Sequence, residues 1–433
     1  MSLESKREIL SGPFFWLSAF YLTYCGRPGD LLSFLAPIPL AKITGILAVL
    51  SLISSIGKAP RQFKDLPKEA VYLSVLIGLL FVSAFLSPVW KGGAFFSTID
   101  FAKVYVAWAL TFLLVTTVSR LRRIIFIQCA SVIAVCALAV IEGHSVPRLD
   151  GVIGGFYSNP NDMAFAIVLC FPFCLAFLLS SKNAVQKLFW AGGMFAMAIA
   201  LILTASRAGF IDMVFAGTVC LWRFGVKGKR PALIVATAVI GIGLVLVSGQ
   251  RLMQRFAAIS GEALSTEEQE TAKASYEERK QLMQRSLDAI AHYPILGVGV
   301  ENFAIYSGMW KQVHASYLQI AAEGGIPVLI LYLLFFGRGF ANLTKLQSLQ
   351  NIDADTALFT GAMKASLVGF IVGACFAPEA YQYFPYFTVC YTSVFLAIKN
   401  EEGALAKIHD RRSDGYAVAH LSGGRSSAFN PAL

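Results

Sequence analysis

Long apolar stretches separated by short polar ones run through most of this 433-residue chain. Twelve spans stand out, at residues 12–25, 38–57, 69–87, 99–118, 123–142, 160–181, 187–204, 207–223, 231–248, 314–337, 356–377 and 383–398. Each approaches the ~20 residues that carry a helix across a bilayer. The pattern predicts an all-α, polytopic membrane bundle of about 12 transmembrane helices. One polar interval interrupts it, at residues 249–313. Its first part, "STEEQETAKASYEER", is polar and acidic. The next, "RKQLMQRSLDAIAHYP", puts Leu282, Met283, Leu287 and Ile290 on one face of an amphipathic helix. The expected organisation is therefore membrane helices in 1–248, a large outer loop in 249–313, further membrane helices in 314–398 and a disordered cytoplasmic tail in 399–433.

Composition supports a membrane protein. The chain is 56% hydrophobic and 14% charged, with mean hydropathy +0.64, against about 25% charge in soluble domains. Its eight cysteines fall almost entirely inside apolar runs and form no C-x-x-C pair, so they read as small hydrophobes. Lys6 and Arg7 precede the first span, but no small-x-small cleavage site follows, which favours an uncleaved first helix over a signal peptide.

The net charge of +10 is distributed like a topology signal rather than a nucleic-acid footprint. With the N-terminus inside, the inner segments collect Lys58, Arg61, Lys64, Lys68, Arg120, Arg122, Arg123, Lys182, Lys187, Arg223, Lys227, Lys229, Arg230, Arg338 and Lys345. The short outer loops and span ends hold Arg27, Lys91, Arg148 and Arg207. This asymmetry predicts an even span count with both termini cytoplasmic.

Those outward cations are the first candidates for chemistry. Arg27, Arg148 and Arg207 sit beside glycine, proline or serine in "CGRPGD", "VPRLDGVIGG" and "TASRAG", and Arg279 joins them from the long loop. Each alone could be a snorkelling interfacial charge; converging, they would hold a phosphate bidentately. Lys42 and Lys103 lie inside spans, where charge is costly. Lys103 either serves function or pairs with Asp100 one turn away. In "FYSNPNDMAFA", Asn159, Pro160, Asn161 and Asp162 suit a helix start, and the same amides could hold sugar hydroxyls. Arg207, in a turn between two spans, would be rigidly placed.

His314 begins an apolar run directly after the long loop. It is either structural or a general base that titrates near neutrality. Glu323, about 13 Å deeper by helix rise, requires a partner or a proton. Asp353 and Asp355 form a D-x-D spacing, but in a short inner loop with no nucleotide-binding unit around it. The chain has no G-x-x-x-x-G-K-[ST], H-E-x-x-H or G-x-S-x-G. No cofactor, metal, nucleotide, nucleic-acid partner or acyl-enzyme is implied.

These residues carry a resemblance. "RLDGVIGGFYSNPNDMA", "LTASRAG", "ERKQLMQRSLDAIAHYPILGVGVENF" and "HASYLQIAAEGGIP" resemble, in order, segments of the O-antigen ligase superfamily, which includes polysaccharide polymerases and protein O-glycosylation ligases. The resemblance covers about 145–330 well, and its most specific piece is Pro294–Phe303. Ala315 departs from the family's His-Asn or His-Ser, and Met283 from a common Trp. The resemblance implies metal-independent, inverting transfer of a glycan from an undecaprenyl-diphosphate carrier at the periplasmic face of the bacterial inner membrane. Arg207 and Arg279, joined by Arg148, would hold the donor diphosphate, and His314 would be the base. Arg27, Lys91, Lys103, Asn159, Asn161 and Glu323 are further candidates for substrate binding.

The acceptor stays open between lipid A-core oligosaccharide, a carrier-linked glycan in a polymerase, and protein Ser/Thr. Ligation to lipid A-core is favoured because the local motifs look ligase-like. An anionic-lipid transporter is the alternative from another class. It is opposed by the lack of duplicated halves and by the gathering of these cations on one side.

Overall fold

Short polar residues start the helices where the apolar runs begin. In the computed structural model, which describes residues 11–55, 61–143, 149–154, 157–235, 266–349 and 352–422, Asn159, Asn183, Ser206 and Asp353 each accept a backbone N–H from the first turn that follows. Such caps satisfy amide donors that a helix leaves open. All the described elements are helical. The long ones are α1 Ser11–Gly26, α2 Leu40–Ser54, α3 Lys68–Leu86, α4 Lys91–Leu114, α5 Val118–Glu142, α6 Pro160–Ser180, α7 Ala184–Thr204 and α8 Arg207–Cys220. They continue with α9 Thr266–His292, α10 Ser316–Gln347, α11 Ala354–Gly373 and α12 Tyr383–Ser422.

Eight of the described helices are long and apolar enough to cross a membrane. The expected bundle is present as an all-helical, multi-pass architecture. Most of the expected span at 231–248 lies outside the described residues, and α2 is a shorter apolar helix. Several helices outrun their expected bounds, α5 from Val118 instead of 123 and α10 to Gln347 instead of 337 among them. α4 starts at Lys91 instead of 99, and α12 continues to Ser422, into the segment read from composition as a tail.

α6 is the most enclosed span and packs against α5, α7, α8, α11 and α12. Its contact with α11 is close because α11 presents glycines. A Cβ on Gly369 would lie 2.9 Å from Val168, and one on Gly373 would lie 2.6 Å from Asp212 Oδ2 of α8. Small residues let membrane helices approach where no hydrophobic force separates helix from lipid.

Two ends follow from the alternating helix directions. One end is tied by charge: Arg61 bonds the carbonyls of Phe112 and Val115 (2.9 Å each) and pairs with Glu401 at 2.7 Å. Arg122 pairs with Asp355 there, and Asp353 caps α11, so both carboxylates of the D-x-D spacing have structural partners. The opposite end gathers residues 26–40, 87–90, 149–154, 157–159, 205–206, 266–315 and 374–382, and holds the candidate site.

Candidate active site at one end of the bundle

The motif before His314 folds as a plug for a broken helix. Gly325 takes φ 81° and ψ 174° inside α10, a conformation nearly confined to glycine. The break frees backbone groups that the Pro294–Phe303 segment satisfies. Val298 N–H donates to Ala322 C=O and Gly299 N–H to Glu323 C=O, both at 2.9 Å, and Ile326 N–H donates to Pro294 C=O at 2.7 Å. Gly297 (φ 66°) permits this approach, since a Cβ there would meet the Glu323 carbonyl carbon at 2.4 Å. Asn302 then locks the segment to α3 and α4 by donating to Ser87 Oγ (2.8 Å) and Trp90 C=O (3.1 Å). The two glycines of "LGVGVENF" thus serve backbone docking, which holds the loop before His314 in place.

Glu323 belongs to this scaffold. It is fully buried, and its Oε1 accepts the Phe303 N–H at 3.4 Å. That places its carboxylate at the start of the short helix Phe303–Tyr306. Gln312 and the half-buried Tyr381 lie close by. The expected partner for this intramembrane acid is therefore chiefly backbone.

α9 lies over the same plug. Leu282 and Ala289 are fully buried in a small core with Val298, Phe303, Val313 and Ala322, with Ile290 packed against it. The expected apolar face is divided, because Met283 and Leu287 are exposed while Ser286 is buried. The inward stripe runs 282, 286, 289 and 290, the helical i, i+4, i+7, i+8 spacing.

This arrangement sets the surroundings of His314. Its imidazole is half-buried between the plug and α9. Burial lowers its pKa from 6.5, and the Arg279 and Lys311 charges lower it further, against an opposing effect of Glu278. Glu278 and Lys311 form an ion pair at 2.5 Å. An imidazole so held is neutral at neutral pH, the state a base requires. Arg279 is exposed beside it on α9, so the structure brings these two candidates together.

Arg207 is the first residue of α8, behind Ser206, whose Oγ accepts Gly209 N–H at 3.2 Å, and Ala205 in the left-handed region. The expected tight turn is present. A chain of contacts links it to the histidine. Asp212 of α8 abuts Gly373, Ala374 C=O accepts the Ser316 N–H at 2.7 Å, and Ser316 is two residues from His314. Arg207 and His314 therefore share one end of the bundle.

The remaining candidates divide. Arg27 (φ 44°) pairs with Asp30, and Lys103 pairs with Asp100, so the pairing alternative for Lys103 is the observed one. Lys91 and Lys42 are exposed in first turns, of α4 and α2. Asn159 caps α6 through the Asn161 N–H at 2.9 Å, which is the helix-start alternative; Asn161 is half-buried beside it. Arg148 lies outside the described residues. Sequence reasoning passed over Asp212 and Glu379, both buried near the floor of this end. Each had a signal, an acid inside an apolar run and an acid in the short "FAPEAYQYF" loop.

No curated protein matches the chain. A family model described as O-Antigen ligase matches residues 192–333, a segment that includes Arg207, α9, the plug and His314. Across residues 192–333, then, this multi-pass membrane protein is similar to the O-antigen ligase family, over about a third of its length and including the histidine end of the bundle.

Proposed function

We propose that the protein transfers a glycan from an undecaprenyl-diphosphate-linked donor to an acceptor hydroxyl, with lipid A-core oligosaccharide as the acceptor in lipopolysaccharide assembly. The observation that carries this is the placement of a half-buried His314 beside Arg279, on the same end of the bundle as Arg207. In this scheme the arginines neutralise the diphosphate as it leaves. His314 takes the proton from the acceptor hydroxyl, the oxygen attacks the anomeric carbon, and the bond to the diphosphate breaks. A single displacement inverts that centre. The end bearing His314 faces the periplasm of the inner membrane, where a lipid-linked donor and a glycan acceptor can meet.

The test supplies the purified protein with an undecaprenyl-diphosphate glycan and, separately, lipid A-core, carrier-linked glycan and a pilin-like protein. Product on lipid A-core supports ligation. Product on carrier-linked glycan or on protein retains the donor chemistry and replaces the acceptor. With no product on any of them, the proposal fails.

A further inference from the structure

The linker Ala374–Gln382, between α11 and α12, is clipped to the start of α10. Ser316 Oγ donates to Ala377 C=O at 2.7 Å and accepts the Glu379 N–H at 2.9 Å, while Ala380 N–H donates to Gln319 Oε1 at 3.4 Å. Whatever holds Glu379 therefore also holds the residue two positions after His314.

The Glu379 side chain has an unusual setting. It is 1% exposed, and among the described residues neither carboxyl oxygen has an N–H or O–H donor within reach. Its hydrogen-bonding neighbour is another carboxyl, that of Asp162 in the first turn of α6. Asp212 of α8 adds a third carboxyl, and its Oδ1 is likewise buried with no partner among the described residues. From α10 the nearby titratable group is the buried Tyr332. Two carboxylates cannot bond each other, and like charges out of water repel. They bond only when one proton lies between them. Asp162 lies at a helix N-terminus, where negative charge is favoured, so the proton belongs on Glu379. Burial, then the charge of Asp162, pushes the Glu379 carboxyl well above 4.5.

We infer that Glu379 is a positioning residue: as a neutral carboxylic acid it donates to Asp162, and this shared proton latches the 374–382 linker, and through Ser316 the His314 backbone, to α6. The inference rests on the proposed role of His314 only for its effect on transfer; the latch itself is a property of the fold.

Its sign with pH is fixed. The bound proton's contribution to stability is complete below 4.5 and is lost as pH rises through the higher folded pKa. Glutamine mimics the protonated acid and cannot lose its donor. The test compares full-length wild type, Glu379→Gln and Asp162→Asn in detergent, by thermal unfolding from about pH 5 to about pH 9. The expected result is that wild type loses Tm with rising pH and both variants lose less, so the gap widens upward. Parallel curves would overturn the latch.

Transfer gives a second readout. Glu379→Gln is expected to keep activity within about twofold and extend its alkaline limb, and Glu379→Ala to lose about tenfold. Glutamine failing as badly as alanine would also overturn it. Widening thermal curves from a protein that transfers no glycan would support the latch while removing the functional proposal.

Discussion

A histidine can take a proton only while it is neutral, and His314 is held in that state by burial and by Arg279. Its depressed pKa means that transfer should persist as pH falls and fail on an acid limb below 6.5. Arg279→Ala removes a lowering charge, so that limb should move to higher pH as overall activity falls; a pH–rate profile of the two proteins checks both. Arg207→Ala should weaken donor engagement, with Arg207→Lys restoring it only in part, because lysine lacks the bidentate fork; the dependence of rate on donor concentration reports this. At this scale the sequence was legible where a charge stood out against an apolar background, as Arg207 and His314 did. It was not legible where a pairing depended on distant elements. Glu323 meets Phe303 only because a loop folds back over the helix break, and Glu379 meets Asp162 only because α6 and α11 pack through glycines.

The central element is α10, broken at Gly325 and repaired by Pro294–Gly299. Gly325→Ala would force a non-glycine residue into the φ 81° region, at about 1–3 kcal/mol for the backbone alone. Its Cβ would also collide with Ile295 C=O at 2.3 Å. The expected result is a large loss of folded protein, seen as a lowered Tm and reduced abundance. Gly337→Ala, in the same helix with open space around it, should be neutral or slightly stabilising. The run from His314 to Phe336 reads as one continuous apolar helix, because a tertiary partner stabilises the break; the paired glycines 324 and 325 and Pro327, which has no N–H for the Glu323 carbonyl, were the local signs. The amphipathic helix was legible as a helix, but its inward face shifted. Period alone fixes which positions share a face, and packing on the plug selects Ser286 and Ala289 over Met283 and Leu287.

For the whole molecule, helix class and most span positions follow from hydropathy, since lipid leaves a backbone little choice but to satisfy itself. The proposed orientation rests on the placement of lysine and arginine. It is testable by cysteine substitution at Lys91, on the His314 end, and at Lys182, on the other; both positions are exposed. In a background with the exposed Cys375 replaced by serine, a membrane-impermeant maleimide applied from the periplasmic side should label Lys91→Cys and spare Lys182→Cys, and the reverse pattern would invert the bundle. The candidate site was legible in outline because its arginines and histidine gather on one side. Its floor of buried acids was not, because it draws on α6, α8 and the 374–382 linker at once. The central claim is that His314 on this end deprotonates the acceptor of a lipid-diphosphate donor. Its most direct measurement is glycan transferred by purified wild type and His314→Ala in proteoliposomes, with donor and lipid A-core supplied at matched protein levels. The expected result is transfer by wild type and none by an equally abundant, equally folded His314→Ala; equal transfer by both would contradict it.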